Sequence, residues 1–452
     1  MFNRGIHKEL LHWKQKNGRK PLIIRGARQV GKTTIIHQFA TEFKQYIYLN
    51  LELPEDKQLF LQFSNMDTLL QSLFFLKNKE LSRKHETLLF IDEIQEVPEA
   101  VHLLRYFYEQ VPELYVVAAG SMLETLFSKN ISFPVGRVEY LVLRPVSFPE
   151  FLAATGETAA LQQLEKIPVA PFAHAKLLRL YHTYALIGGM PEVVAHYAAN
   201  RDITALNTIY DSLITSYIDD VEKYAVSPSQ IQQIRHAITA AFRQAGKRIK
   251  FQGFGNSAYA SREMGEALRT LQKTMLIHLL YPVTETILPI LPDSKKSPRL
   301  QVLDTGMLNY FAGIQKEIIG TEELNDVYKG IMIEHLTGQE LLATQTNALS
   351  TLHFWVREKN TSSAEVDFIR LFDSKLIPIE VKSGKEGKLK SLHQYMEVAP
   401  HSLAVRVYGG ELQITVCHSV SGKKYFLLNL PYYLVSQIDH YLKWLVKQQS
   451  KL

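Results

Sequence analysis

The stretch Gly26–Thr33, GARQVGKT, decides the fold of the amino-terminal part of the chain, because it fits the pattern G-x-x-x-x-G-K-[ST]. It follows the apolar run PLIIR and precedes TTIIHQFATEF, whose apolar residues recur with a helical period. A glycine-rich turn between a strand and a helix gathers backbone amides and the positive end of the helix at one point. This arrangement predicts a phosphate-binding loop.

The residues of this loop have separate expected roles. Gly26 and Gly31 let the backbone turn sharply, and Lys32 would bridge the outer phosphates of ATP. Thr33 would offer its hydroxyl to Mg2+, and Thr34 would lengthen the polar edge of the helix terminus. The alternative is a glycine-rich turn followed by an ordinary surface lysine. The predicted nucleotide-binding residues are Gly26, Ala27, Arg28, Gln29, Val30, Gly31, Lys32, Thr33 and Thr34.

A second motif, LLFIDEIQ, starts at Leu88 with four apolar residues that predict a fully buried strand. The strand delivers Asp92 and Glu93 at its carboxyl end, where open α/β sheets bind their ligands. Asp92 would hold Mg2+ directly or through water, and Glu93 would act on the attacking water as general base. Alone, such a run is a strand followed by a solvated turn. Together with the loop, it predicts a P-loop NTPase that hydrolyses ATP.

Two further residues are candidates for the same chemistry. Ser121 ends the run LYVVAAGS, where a polar side chain could sense the γ-phosphate, or it could simply cap the helix MLETLF. Arg137 could reach the γ-phosphate of a neighbouring subunit in a homo-oligomer, and Arg144 on the same strand offers a similar group. Both arginines could instead form a solvated face. The prediction favours Arg137.

The pattern of predicted elements changes along the chain and indicates three units. Residues 1–150 alternate short strands with amphipathic helices, which predicts a parallel sheet with helices on both faces. Residues 151–320 have mostly helical periodicity and predict a lid, in which REMGEALRTLQKTMLIHLLYPVTE has the helix-to-strand order of a winged helix. Residues 321–452 combine a helix, GIMIEHLTGQELLAT, with three strands. The expected fold class is α/β.

The amino-acid composition limits the classes of protein to which this chain can belong. Of the 452 residues, 46% are apolar and 21% are charged, which is the balance of a soluble globular protein. The net charge of +6 permits an anionic partner without requiring one. Cys417 is the only cysteine, so an intramolecular disulfide and a multi-cysteine zinc site are excluded. No apolar run is long enough to cross a bilayer, and we expect a cytoplasmic protein without a membrane anchor.

Two strands of the last unit, EVDFIRLF and LIPIEVKS, predict a cluster of acidic residues. Side chains alternate along a strand, so Asp367 shares a face with Glu365, and Glu380 shares one with Lys382. In register, Asp367 and Glu380 could hold Mg2+, with Glu334 of the preceding helix completing the shell. Lys382 would then orient or deprotonate water. The alternative is a closed ion pair between Glu380 and Lys382 that contributes little energy.

The middle region contains a basic segment, FRQAGKRIKFQGFGNSAYASREMGEALRTLQKT, with few acids and several aromatic residues. Such a patch would contact nucleic-acid phosphates with an affinity that depends strongly on salt. The alternative is a solvated helical face. The basic residues are Arg243, Lys247, Arg248, Lys250, Arg262, Arg269 and Lys273.

The series RGARQVGKTT, YLNLE, LLFIDEIQ, AGSMLE, GRVEYLVLRPVSFPEFL, GGMPE, SYIDDVEKY, IEHLTGQEL, EVDF and IEVKSG resembles a large prokaryotic group of AAA-type P-loop ATPases. The resemblance implies an AAA-like ATPase domain, a helical middle with a winged helix, and a carboxyl-terminal domain similar to the restriction-endonuclease core. In the ATPase motifs, Lys32, Thr33, Asp92 and Glu93 match position for position. In the last domain, Asp367, Glu380 and Lys382 match the D…ExK pattern of nucleases.

Two hypotheses for function follow. The first is an enzyme that hydrolyses ATP and cleaves DNA with Mg2+ through its nuclease-like domain. The second is a nucleotide-switched binding or scaffolding protein whose nuclease-like domain is catalytically inactive.

Overall fold

The computed structural model describes the whole chain except residues 1, 3, 62–64, 121–135, 224, 226, 314–330, 360–361, 383, 385–387 and 450–452. Statements about structure refer to the described residues. They form two large sheets and a helical region between them.

The first sheet has five parallel strands. Its spatial order is β2-β3-β4-β1-β5, so the strand that precedes the phosphate loop lies between β4 and β5. Every residue of β3 is buried, as the apolar run LLFI requires of a strand covered on both faces. The predicted parallel sheet is confirmed. The strands are β1 (Leu22–Arg25), β2 (Gln45–Asn50), β3 (Thr87–Asp92), β4 (Tyr115–Ala119) and β5 (Glu139–Val142).

Helices cover both faces of this sheet. On one face, α1 and α2 pack on β1 and β3 in a core that continues into the helical region. On the other, α3, α4 and α5 form a separate apolar layer against Ile23, Leu89 and Ile91. These helices are α1 (Ile6–Gln15), α2 (Lys32–Phe39), α3 (Pro54–Leu61), α4 (Met66–Leu76) and α5 (Pro98–Gln110).

The middle of the chain is mainly helical. Its helices are α6 (Phe148–Ala154), α7 (Thr158–Leu164), α8 (His174–Ile187), α9 (Pro191–Asn200), α10 (Leu206–Asp219), α11 (Pro228–Gln244), α12 (Ser261–Lys273) and α13 (Thr305–Phe311). Between α12 and α13, β6 (Ile277–Leu280) and β8 (Arg299–Val302) form an antiparallel pair. An isolated bridge joins Arg248, which follows α11, to Arg299. The chain order is thus helix, bridge residue, helix and two-stranded hairpin.

The second sheet has seven strands in the order β13-β14-β12-β11-β10-β9-β7. Its outermost strand, β7 (Pro282–Val283), comes from the middle region and pairs in parallel with β9. A strand from before the expected boundary at residue 320 therefore belongs to this sheet. The other strands are β9 (His353–Lys359), β10 (Ser362–Phe372), β11 (Lys375–Val381), β12 (Leu403–Tyr408), β13 (Gln413–His418) and β14 (Lys424–Pro431).

Three helices accompany this sheet, namely α14 (Ile331–Ala343), α15 (Lys390–Val398) and α16 (Ile438–Gln449). The first of them also contacts the other units. Glu340 of α14 is fully buried and accepts hydrogen bonds from the backbone N–H of Phe148 and from the Tyr184 hydroxyl, the latter at 2.6 Å. Polar contacts therefore join the three units through the interior. Among the described helices, none has both the length and the apolar character needed to span a membrane.

Candidate nucleotide site

The phosphate loop joins β1 to α2, and its shape follows from its glycines. Gly31 is the residue before α2 and has φ 94°, a left-handed conformation that a residue with a Cβ adopts only with strain. Because Gly31 turns the chain there, α2 begins at Lys32 and directs its free backbone N–H groups toward the loop. The loop thus has the conformation of an anion cradle.

Lys32 is buried beneath the loop. Its Nζ donates hydrogen bonds to the carbonyl oxygens of Gly26 at 3.0 Å and Ala27 at 2.9 Å. Burial lowers the pKa of Lys32 to about 8, and the nearby carboxylates of Glu93 and Asp92 oppose that shift. An anion in the cradle would add opposite charge beside this ammonium and would favour its charged form.

Thr33 and Asp92 meet at the edge of the cradle. The Thr33 hydroxyl donates to Oδ2 of Asp92 at 2.6 Å, and Oδ1 of Asp92 accepts from the backbone N–H of Glu93 at 3.1 Å. Burial raises the pKa of Asp92, while these hydrogen bonds lower it. A hydroxyl and a carboxylate oxygen side by side are the ligand types that Mg2+ prefers, so the residues fit that ion.

Glu93 follows β3 in a left-handed conformation with φ 50°. This conformation is uncommon for a residue with a side chain and often occurs at functional sites. Oε2 of Glu93 accepts a hydrogen bond from Nε2 of Gln95 at 2.5 Å, and the Glu93 side chain borders the cavity above the loop. Glu93 therefore borders the same cavity as Lys32 and Thr33.

A cavity of about 500 Å³ lies over the cradle. One wall is the phosphate loop and α2, and the opposite wall is the amino-terminal end of α9. Its volume suits a nucleotide-sized ligand. The lining residues are Phe2, Arg4, Arg28, Gln29, Gly31, Lys32, Thr33, Thr34, Ile35, Gln38, Glu93, Pro191, Glu192 and Ala195.

Several lining residues were not predicted from the sequence. Arg4 is buried and donates hydrogen bonds to the carbonyl oxygens of Val30 and Arg144. It also pairs with Glu150. These contacts connect the first residues of the chain to the phosphate loop. Pro191 belongs to the motif GGMPE, which the sequence shows but which suggested no role. In this motif the proline could have indicated the start of a helix, and the two glycines before it could have indicated a close approach to another backbone segment.

The tip of the loop contacts the helical region. Arg28 pairs with Asp220 at 2.5 Å, and the Tyr217 hydroxyl donates to the carbonyl oxygen of Arg28 at 2.7 Å. Both partners come from SYIDDVEKY at the end of α10. The loop is thus covered by the middle of the chain.

Arg137 and Arg144 do not line the cavity. Ser121 is outside the described residues. Arg137 has 41% of its side chain exposed, and its Nε donates to Glu109 at 2.8 Å. Arg144 is buried and lies 3.2 Å from Nε2 of His278, and burial lowers its pKa to about 10. Arg144 therefore cannot reach a neighbouring subunit in this conformation, whereas Arg137 is at the surface.

Comparison with family models agrees with this geometry. Residues 18–152 match the family described as AAA domain. The matched region, which we call the AAA domain after that model, contains the parallel sheet, the cradle and the Thr33–Asp92 pair. Residues 178–318 match a domain of unknown function, DUF8612, and residues 329–431 match another, DUF4143.

Two solved structures resemble the chain. A Walker-type ATPase of Pyrococcus abyssi is 16% identical over 69% of this chain and 96% of its own, with a TM-score of 0.46. PCH-2 of C. elegans is 14% identical over 47% of this chain and 63% of its own, with a TM-score of 0.24. At these TM-scores neither resemblance supports a conclusion about the chain. Among curated proteins, none matches significantly.

In the last unit, the predicted acidic residues Glu334, Glu365 and Asp367 lie close together, and their shared neighbour is Arg299. The guanidinium of Arg299 is 4% exposed and contacts the carboxylates of Glu334 and Glu365. It also donates to the carbonyl oxygen of Asp367 at 2.9 Å and lies 4.0 Å from that residue's Oδ1. Arg299 comes from β8 of the middle region, which is why no local pattern predicted it.

The neighbouring Glu380 has a different partner. Nζ of Lys382 donates to its Oε1 at 2.6 Å, and its Oε2 is buried without a hydrogen-bond partner among the described residues. Asp367 accepts the backbone N–H of Val381 at 2.7 Å, so β10 and β11 do bring Asp367 close to Glu380. Burial raises the pKa of Glu334, Asp367 and Glu380.

The predicted metal ligands have protein partners in this structure. Glu334 contacts Arg299, and Glu380 pairs with Lys382. In the part of the chain that the structure describes, no group of three or more His, Cys, Asp or Glu is placed to hold a metal ion. The magnesium site of the last unit therefore stays a prediction.

The basic segment of the middle region divides into two sets. Arg248 pairs with Glu358 at 2.9 Å, and Arg243 lies over the ring of Phe311, although both residues are also exposed. The remaining side chains are exposed along α12 and the loop before it, and they are Lys247, Lys250, Arg262, Arg269 and Lys273.

Proposed function

We propose that the chain binds and hydrolyses ATP at the cradle of its AAA domain. The observation that carries the proposal is the 2.6 Å hydrogen bond between the Thr33 hydroxyl and the Asp92 carboxylate. Beside this pair lies the buried ammonium of Lys32, whose charged form an anion would stabilise. This contact brings together the two sequence motifs that P-loop ATPases use for phosphate and Mg2+. The match of residues 18–152 to the AAA domain supports the same class of activity.

The residues divide the work as follows. Lys32 leaves the carbonyl oxygens of Gly26 and Ala27 and donates to the phosphates, and the backbone N–H groups at the start of α2 do the same. Thr33 and Asp92 would hold Mg2+, which when bound neutralises charge on the phosphate oxygens. Glu93 accepts the proton of the attacking water as general base.

The test compares two variants. Lys32→Ala should weaken binding of a fluorescent ATP analogue at least about tenfold, because it removes charge-assisted hydrogen bonds. Glu93→Gln should bind the analogue like the wild type yet hydrolyse ATP about 100-fold or more slowly, because the base is lost. Lys44→Ala, at an exposed lysine paired with Glu86, is the matched control. Unchanged turnover in Glu93→Gln would remove Glu93 as the base.

We propose further that the carboxyl-terminal domain does not cleave DNA. The specific observation is that Arg299 and Lys382 already pair with the carboxylates that a nuclease would use for its metal. A chain that cleaves single-stranded, double-stranded or branched DNA with Mg2+ or Mn2+, with or without ATP, would contradict this second proposal. Loss of that cleavage in Asp367→Ala would then restore the nuclease hypothesis.

We propose separately that the middle region of the chain binds double-stranded DNA. The order α11, bridge residue Arg248, α12 and antiparallel pair β6–β8 supports the proposal, because a winged helix would have this order and α12 would be its recognition helix. Arg262, Arg269 and Lys273 are exposed on α12, so their charge is available to phosphates.

The DNA proposal is tested by the salt dependence of binding. Removing Arg269 and Lys273 together should weaken binding to any duplex and lower the slope of log K against log salt by about 2. Lys44→Ala is the control, since Lys44 is an exposed lysine outside the basic segment. Equal slopes in both variants would argue against α12 as the contact surface.

A further inference from the structure

The loop between α8 and α9 determines where α9 enters the nucleotide cavity. It consists of Gly188, Gly189 and Met190, and Pro191 begins α9 directly after it. Pro191 lies against the phosphate loop, since a Cβ placed on Gly31 would be 3.7 Å from its Cγ. A shift of this loop would therefore move one wall of the cavity.

The loop is held from two sides. On the side of the AAA domain, the backbone N–H of Val146 donates to the carbonyl oxygen of Gly189 at 2.7 Å. On the opposite side, Oδ2 of Asp304 accepts the backbone N–H of Gly189 at 2.5 Å. Gly188 has φ 74°, and a Cβ there would lie 2.4 Å from Oδ1 of Asp304. The Asp304 carboxylate therefore packs directly against Gly188 and leaves no space for a side chain at that position.

Asp304 has no exposed surface and uses both of its oxygens. Oδ1 accepts the backbone N–H of Met307 at 3.0 Å and so caps the amino terminus of α13. Oδ2 accepts from Gly189, and Nε2 of Gln339 on α14 is 3.4 Å away. Capping needs one oxygen, and serine caps a helix about as well as aspartate. Helix capping therefore explains the role of Oδ1 alone. It does not explain why the chain buries a carboxylate here or why Oδ2 accepts from Gly189.

We propose that Asp304 is a positioning residue for the nucleotide site, acting through Gly189 on the position of Pro191 and the α9 wall. The inference rests on the proposed binding of ATP. Asp304 does not line the cavity, so its influence passes through its hydrogen bond to the backbone of Gly189. The adjacent contact with Gln339 joins the same carboxylate to the helix that carries Glu334.

Asp304→Ser separates positioning from capping. The serine keeps an oxygen for the backbone N–H of Met307 but is too short to reach Gly189 as well. We expect the KM for ATP to rise about tenfold while kcat stays within about threefold, because the α9 wall contacts the nucleotide equally before and during hydrolysis. The control is Asn429→Ser, which removes an equally buried hydrogen-bonding side chain from β14 of the distant sheet. It should leave KM unchanged.

The outcomes are distinguishable. A wild-type chain that binds no fluorescent ATP analogue would overturn the proposed function itself. Binding in the wild type with the same KM in Asp304→Ser would overturn only the positioning role. Hydrogen exchange in the wild type provides a test that needs no variant, since ATP should slow exchange of the Gly189 amide if loop and nucleotide are coupled. Unchanged exchange at saturating ATP would also overturn the positioning role.

Discussion

Thr33 and Asp92 stand 59 positions apart in the chain, yet the hydroxyl of one donates to the carboxylate of the other at 2.6 Å. The contact exists because β1 and β3 end at the same edge of a parallel sheet, with β4 between them. It places an oxygen pair directly beside the cradle, and the first prediction concerns its role.

Asp92→Asn should remove the enhancement of ATP-analogue binding by Mg2+, because the amide lacks the negative charge that a hard cation requires. Binding in the presence of EDTA should remain near the wild-type value. Fluorescence titration with and without Mg2+ measures both quantities. Thr41→Ala, at an exposed threonine just beyond α2, is the control. An unchanged response to Mg2+ would exclude Asp92 as part of the metal site.

Arg137 should act on a neighbouring subunit. Its side chain is 41% exposed and pairs with Glu109 of its own chain, and such a surface ion pair is weak enough for a neighbouring subunit to replace it. Mixing Arg137→Ala chains with Glu93→Gln chains should restore part of the ATPase activity, because mixed interfaces combine an intact arginine with an intact base. Light scattering that shows a monomer under every nucleotide condition would contradict the prediction.

Arg299→Ala should lower the free energy of unfolding by about 3–5 kcal/mol, since it leaves buried carboxylates without their compensating charge. Arg262→Ala, at an arginine that is 88% exposed and paired along α12, should change it by less than about 0.5 kcal/mol. Denaturant unfolding followed by circular dichroism compares the two. Similar small losses would mean that the acidic cluster does not need Arg299.

Glu340 should make stability depend on pH. Burial raises its pKa to about 7, and the nearby Glu150 acts in the same direction. In the unfolded chain the pKa of this carboxyl group is about 4.3, so the folded state binds the proton more tightly than the unfolded chain does. The contribution of Glu340 to stability is therefore present below pH 4 and is lost as pH rises to about 7.

Glu340→Gln tests this sign directly. The amide stays neutral, so the variant should gain stability relative to the wild type between pH 5 and pH 8. Thermal unfolding of both proteins at each pH gives the difference and cancels the titration of other groups. A difference that does not vary with pH would show that Glu340 has an ordinary pKa in the folded state.

Much of the AAA domain could be predicted because its signals are local. Gly31 and Lys32 mark the turn and the helix start within adjacent residues, and the apolar run before Asp92 specifies a buried strand. The parallel sheet and the start of α2 were predicted correctly. The strands EVDFIRLF and LIPIEVKS were likewise predicted, and they pair antiparallel with Phe368 opposite Ile379.

The sequence by itself therefore determined the elements, the phosphate loop and the residue types at the carboxyl ends of the strands. Only the tertiary structure decided which charges meet. Arg299 lies 66 positions from Glu365, and Asp304 lies 115 positions from Gly189. Neither pairing follows from a helical or strand period, because each depends on how separate units pack. Burial then forces every enclosed carboxylate to find a partner, and the fold selects which one.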